Sequence, residues 1–221
     1  MKKFLNDIRS AENPISGNRK IINTIAVLFL GIALGTFSKF LDFRQAELPS
    51  VLMAIDGALD VHNFLGRFAI WVLIALCISI YSNSATRASV NVFAFFVGML
   101  IGYYVWTSVF AGFYPDIPYL MRWLILAVVS PFLAFLIWYA RGRGALAIGI
   151  SSVLIAIFCC FAFNLNFADF RILYFPEFIL WLASIGILFK DVKQSAFSLL
   201  ISIPVALSLE YTGLLGIIGI G

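Results

Sequence analysis

Carboxylates within or beside apolar runs are costly in a membrane and tend to carry function. This chain places several of them close to aromatic rings. Lys39 and Asp42 stand three residues apart and share a helical face. Tyr103, Tyr104, Trp106 and Thr107 cluster at the end of a long apolar run, and Tyr174-Phe175-Pro176-Glu177 opens another. Asp56 and Asp60 lie four apart in a polar connector. Aromatic walls with a few carboxylates suit an organic cation or a heteroaromatic solute. The expected ligand-binding set is therefore Lys39, Asp42, Asp56, Asp60, Tyr103, Tyr104, Thr107 and Glu177, gathered around one outward cavity. A plainer explanation covers the same residues. Tyr and Trp collect at any bilayer interface, and Lys39–Asp42 makes an ordinary interfacial ion pair with Lys39 snorkelling.

Catalysis has less to draw on. His62 is the one histidine, with Asp60 two residues and Asp56 six residues before it. Neither acid stands at the i, i+3 or i+4 spacing that one helix needs to bring ligands together, so no metal is expected. The chain has no G-x-S-x-G, no H-E-x-x-H and no phosphate-binding glycine loop. No catalytic residue and no cofactor is assigned. The one enzymatic reading left is a membrane hydrolase working with Asp56, Asp60 and Glu177 alone. Cys77, Cys159 and Cys160 all lie in apolar runs and read as small core hydrophobes rather than a disulfide framework.

The elements that must position these residues are apolar throughout. Of 221 residues 62% are hydrophobic and 12% charged, and the mean hydropathy is +1.02, far from the balance of a soluble domain. Apolar runs fall at 21–40, 65–82, 90–113, 122–140, 145–163, 174–189 and 196–218. They predict an all-α integral membrane bundle of about seven transmembrane helices, six if the last run inserts only partly. That run carries Pro204 and Glu210 and ends rich in glycine. Residues 1–20 form a polar N-terminal segment and 21–221 a single membrane domain. The first run is long enough to remain as a span rather than serve as a signal core.

The connectors alternate in charge. Lys2, Lys3, Arg9, Arg19, Lys20, Arg87, Arg141, Arg143, Lys190 and Lys193 fall on one side, with Asp7, Glu12 and Asp191. Lys39, Arg44, Arg67, Arg122 and Arg171 fall on the other, with Asp42, Glu47, Asp56, Asp60, Asp116, Asp169, Glu177 and Glu210. Ten basic residues against five predict a cytoplasmic N-terminus in the plasma membrane and an acidic outer face. The net charge of +4 is thereby a topology signal, and nucleic acid is excluded as a partner. The longest outer connector, 41–64, has one stripe of Leu48, Val51, Leu52, Ile55 and Leu59 and another of Asp56, Asp60, Asn63 and Arg67. That is the pattern of an amphipathic helix lying at the interface, with Pro49 suited to its first turn.

Two glycine pairs, Gly31/Gly35 and Gly98/Gly102, let a second backbone approach closely. They serve either packing within the chain or docking of a membrane partner subunit. Ser130-Pro131 and Pro204 predict kinks in the fourth and seventh spans.

GIALGTFSKFLD (31–42), NFLGRFAIW (63–71), RASVNVFAFFVGMLIGYY (87–104), SPFLAFLIWYARGRG (130–144) and LYFPEFILW (173–181) together resemble an uncharacterised family of small bacterial multi-pass membrane proteins. This resemblance implies a fold and no activity. IALGTFSKFL (32–41) is similar to the first helix of the substrate-capture subunits of energy-coupling-factor vitamin transporters. That likeness implies an outward solute site, a covering loop at 41–64, and Ala33 and Gly35 as small residues facing a coupling subunit. Three function classes remain open: a solute-binding or transport component, an accessory subunit acting through helix contacts, and a carboxylate-dependent membrane enzyme. The expected partners are the lipid bilayer, a membrane subunit and a small organic solute.

The charge bias makes a direct prediction. In a chain whose native cysteines are replaced, a single cysteine in the 141–144 connector is expected to resist membrane-impermeant maleimide on intact cells and to react after lysis. Strong labelling from outside would reverse the orientation.

Overall fold

The structure is a computed structural model describing residues 2–11, 15–44, 49–112 and 117–217. Glu12, Glu47, Leu48 and Asp116 lie outside the described residues, as do the side chains of Arg44, Leu59 and His62. The described chain is almost wholly helical. A short α1 (Lys2–Ile8) precedes the long α2 (Gly17–Arg44). Then come α3 (Ser50–Leu59), α4 (Val61–Gly66), α5 (Phe68–Ile80) and α6 (Ala85–Trp106), the last prolonged by a wider turn at Thr107–Ala111. α7 (Ile117–Trp138) and α8 (Ala145–Ala162) lead to a two-stranded antiparallel hairpin, β1 (Phe163–Asn164) and β2 (Arg171–Ile172). α9 (Phe175–Leu188), α10 (Val192–Thr212) and a terminal turn α11 (Leu214–Ile217) complete the chain.

Five of these helices are long and apolar enough to cross a bilayer: α2, α6, α7, α8 and α10. α5 and α9 occupy the second and sixth apolar runs but hold only 13 and 14 residues. At 1.5 Å per residue each reaches about 20 Å, against about 30 Å of hydrocarbon. The outward surface is apolar, with Phe29, Ile125, Phe132 and Leu200 all exposed. Such a surface has no place in water and fits a multi-pass membrane protein.

Small residues set the closest packing. Gly31 and Gly35 of α2 meet the backbone of α6, and Gly98 and Gly102 of α6 meet that of α2. A Cβ at Gly31 would strike Phe95 O, at Gly35 Met99 O, at Gly98 Leu28 O and at Gly102 Ile32 O. The two glycine pairs therefore pack against each other within the chain. This is the most extensive helix contact in the fold. Ala33 is on the exposed face of α2, away from Gly35.

Polar side chains fasten one end of the bundle. Arg87 donates from Nη2 to Lys20 O (2.7 Å), Asn91 Oδ1 (3.0 Å) and Thr24 Oγ1. This ties the start of α2 to the start of α6. Trp138 Nε1 donates to Ser82 O at 2.7 Å. Arg9 donates to Ile80 O (3.0 Å) and Trp138 O (2.6 Å), carbonyls at the C-terminal ends of α5 and α7.

Pro131 lies inside α7 as the sequence predicts. It has no N–H for the carbonyl of Ala127, one turn earlier. Ser130 Oγ supplies the missing donor, at 2.9 Å from Ala127 O. The carbonyl that Pro131 orphans is thus satisfied by the neighbouring side chain.

The glycine seam generates a prediction. Gly35→Leu or Gly102→Leu forces two backbones apart and is expected to cost at least about 3 kcal/mol, lowering the unfolding midpoint in detergent by roughly 6–12 °C. Gly57→Leu, at a position with nothing within 4 Å, is expected to shift it by less than about 2 °C. Equal behaviour of the three variants would make the seam incidental.

Candidate functional site

The end of the bundle opposite Arg9 and Arg87 holds the expected ligand residues. The seam carries α2 and α6 past it as neighbours, so the last turns of both helices face each other. There Lys39 Nζ lies 3.5 Å from Asp42 Oδ2 and 5.1 Å from the centre of the Tyr103 ring. Gly35, Ser38 and Asp42 of α2, Tyr103 and Tyr104 of α6, and Gly66, Trp71 and Trp123 line one narrow cleft. Its volume is about 30 Å³, room for one or two water molecules. Trp71 is held by a 2.8 Å bond from its indole N–H to Leu65 O, and Trp123 by a 4.6 Å stack on Phe68. The aromatic walls are thus fixed.

Thr107 does not line this cleft. It is fully buried and its hydroxyl donates to Tyr103 O at 2.7 Å, steadying the turn where α6 widens. The indole N–H of the neighbouring Trp106 is buried with no hydrogen-bond partner among the described residues. Asp56 is buried, whereas Val51, Met53 and Ile55 of the same helix are exposed. α3 thus turns its carboxylate toward the protein and its apolar residues outward.

Glu177 forms a second centre. Only 1% of it is exposed. Arg67 Nε donates to Glu177 Oε1, and Arg67 Nη2 to Oε2 at 3.3 Å, a two-pronged pair. The same guanidinium lies 4.1 Å from the centre of the Tyr174 ring and donates through Nη1 to Asp60 Oδ2 at 3.4 Å. Asp60 also accepts from Asn63 Nδ2 at 2.7 Å.

Local sequence explains this geometry. Arg67 stands in extended backbone between α4 and α5, after Gly66, so its side chain is free of both helices. Pro176 occupies the first turn of α9, where its missing N–H costs nothing. Glu177 follows it in the same turn and faces the positive end of the helix. Asp60 has φ +51°, a left-handed conformation that breaks the connector into α3 and α4.

The eight expected ligand residues therefore divide. Asp42, Tyr103 and Tyr104 line the cleft, with Lys39 beside Asp42 and the Tyr103 ring. Glu177 and Asp60 join Arg67, and Asp56 and Thr107 belong to neither group. The two centres touch through the backbone, since Gly66 lines the cleft and Arg67 is the next residue. The hub Arg67 was placed by sequence only in the connector's polar stripe. Two opposite charges, each near the start of a short apolar run, were the signal that could have paired it with Glu177. As a catalytic acid or base Glu177 is poorly placed, because no substrate reaches it without opening the pair. Among the described residues no three His, Cys, Asp or Glu side chains converge on a metal position.

No protein-family model, curated protein or solved structure matches the chain.

The ion pair carries its own prediction. Arg67→Gln or Glu177→Gln leaves a buried charge unmatched and is expected to cost about 3–5 kcal/mol each. Arg67→Met with Glu177→Leu removes both charges together and is expected to cost less than either single change. Additive losses in the unfolding midpoint would mean that the two residues are not coupled.

Proposed function

We propose that the chain is a plasma-membrane protein of seven crossings, with its N-terminus in the cytoplasm, that captures a small cationic or heteroaromatic solute from outside as a binding or transport component. One observation carries this reading. The rings of Trp71, Tyr103, Tyr104 and Trp123 and the carboxylate of Asp42 converge on one cleft. Aromatic faces and a carboxylate are the chemistry that recognises an organic cation. The cleft lies at the end away from the basic connectors, which by the positive-inside bias is the outer one. The likeness of 32–41 to vitamin-capture subunits points to the same class.

In the seven-crossing reading α5 and α9 are two short spans. Their starts then lie about 10 Å below the outer edge of the hydrocarbon. Arg67 and Glu177 would meet at that depth, where an isolated charge is costly and a matched pair is tolerated. α3 and α4 act as the cover. They join at the left-handed Asp60, and α4 ends at the break Gly66–Arg67. Rotation at these two joints widens the cleft, and the bonds from Arg67 to Asp60 and Glu177 hold the cover closed. The accessory-subunit alternative draws no support from the glycine pairs, which are used within the chain.

The reading is tested by unfolding the purified chain in detergent with choline, thiamine and nicotinamide. One of these chemical classes at about a hundred times its Kd is expected to stabilise the chain by about 2.7 kcal/mol, a rise of roughly 5–10 °C in the midpoint. Asp42→Asn is expected to abolish the response to a cation. No shift with any compound at millimolar concentration would remove the proposal.

A further inference from the structure

The end of the bundle that carries the N-terminus holds a cavity of about 510 Å³ between α1 and two turns. Its wall is polar and basic. Arg141 and Arg143 come from the turn before α8, Lys190 from the turn before α10, and Arg9 from the segment after α1. Asp7 is the one carboxylate in the wall. The volume lies within the range of small-molecule sites.

A topology signal needs basic residues in the connectors, but it does not need them to enclose a space. Here the enclosure is built by specific contacts. Arg143 N donates to Ile8 O at 2.9 Å. A Cβ at Gly142 would lie 2.6 Å from Ile8 Cγ2, so only glycine lets the N-terminal segment dock so closely. Gln194 Nε2 donates to Gly142 O at 3.2 Å, joining the two turns that form the far wall. Arg9 is committed to the carbonyls of Ile80 and Trp138 and lies 4.2 Å from the centre of the Trp138 ring. It contributes charge and holds the wall in place.

Arg141, Arg143 and Lys190 differ from Arg9. Among the described residues, no carboxylate lies within ion-pair distance of them. Asp191, next to Lys190 in sequence, accepts from Gln194 N at 2.9 Å and caps α10. Like charges held on a fixed frame repel one another unless an anion joins them. Guanidinium forks match the oxygens of phosphate, and a lysine adds a point charge beside them.

We propose that this cavity binds a phosphate group through Arg141, Arg143 and Lys190. The phosphate comes either from the headgroup of an anionic lipid in the adjoining leaflet or from a soluble phosphate compound. The site is separate from the solute cleft, at the other end of the bundle, and stands whether or not that cleft binds a solute.

The test uses the full chain in a neutral detergent. It is titrated with phosphatidylglycerol, with phosphatidylcholine of the same chain length, and with pyrophosphate. Binding is read by native mass spectrometry and by the unfolding midpoint. Preference for phosphatidylglycerol over phosphatidylcholine assigns the phosphate to a lipid. Stabilisation by pyrophosphate alone assigns it to a soluble compound. Either result supports the site. Arg143→Gln with Lys190→Gln is expected to weaken binding about thirtyfold. Asp7→Asn removes the single acid of the wall and is expected to tighten binding about fivefold, a gain that a misfolded chain does not produce. Arg171→Gln, at the opposite end, is expected to change nothing. The proposal is overturned if the chain binds phosphatidylglycerol no better than phosphatidylcholine and does not respond to pyrophosphate. It is also overturned if Arg171→Gln weakens binding as much as the double variant, or if the double variant and Asp7→Asn both leave affinity unaltered.

Discussion

The contact between α2 and α6 sets the register at both ends of the bundle. Four glycines remove the side chains that would keep the two backbones apart, and they do so reciprocally, one turn after another. A slip of one residue along either helix would drive a Cβ into a carbonyl, so the register has one solution. That register decides which residues face each other at the C-terminal ends of the two helices. Asp42 is on the turns after Gly35, and Tyr103 and Tyr104 follow Gly102 directly. In lipid, without a hydrophobic force between helices, close packing of this kind is the main source of association.

The Arg67 cluster solves a different problem. Arg67 precedes the apolar α5 and Glu177 stands in the first turn of the apolar α9, and a charge buried among apolar residues is costly unless it is paired. Each gives the other its partner. Glu177 also faces the positive end of its own helix, so the carboxylate is stabilised by a dipole and a guanidinium at once. The pair joins α9 to the connector that precedes α5. It therefore holds together parts of the chain that are 110 residues apart.

Much of the fold was legible because lipid simplifies the code. Apolar runs must be helices where no water can satisfy the backbone, so the seven runs map onto helices with only their ends displaced. The lost backbone hydrogen bond at Pro131 was readable from the ring alone. The repair by Ser130 was not, since it depends on a rotamer. Lys39 and Asp42 share a face of α2 and Tyr103 and Tyr104 follow each other on α6, so spacing accounts for each pair, whereas the glycine seam between the two helices brings the pairs together. Glu177 was grouped with them only by depth, and depth does not say which helices are neighbours. Its partner Arg67 lies across the bundle, and no local pattern encodes that contact. The connector was expected to form one amphipathic helix at the interface, and the left-handed Asp60 breaks it into α3 and α4. Asp56 is buried and Val51 and Ile55 face outward, because polar neighbours within the protein compete with a membrane surface that accepts apolar groups.

The docking of the N-terminal segment fixes an order of events in time. Arg9 donates to Trp138 O, across 129 residues of chain. A ribosome adding roughly 5–20 residues each second needs roughly 6–26 s to make that stretch. For that interval Arg9 exists without the Trp138 carbonyl that it will bind. Its arrival beneath the bundle marks the point at which the early half of the chain can no longer rearrange independently of the later half.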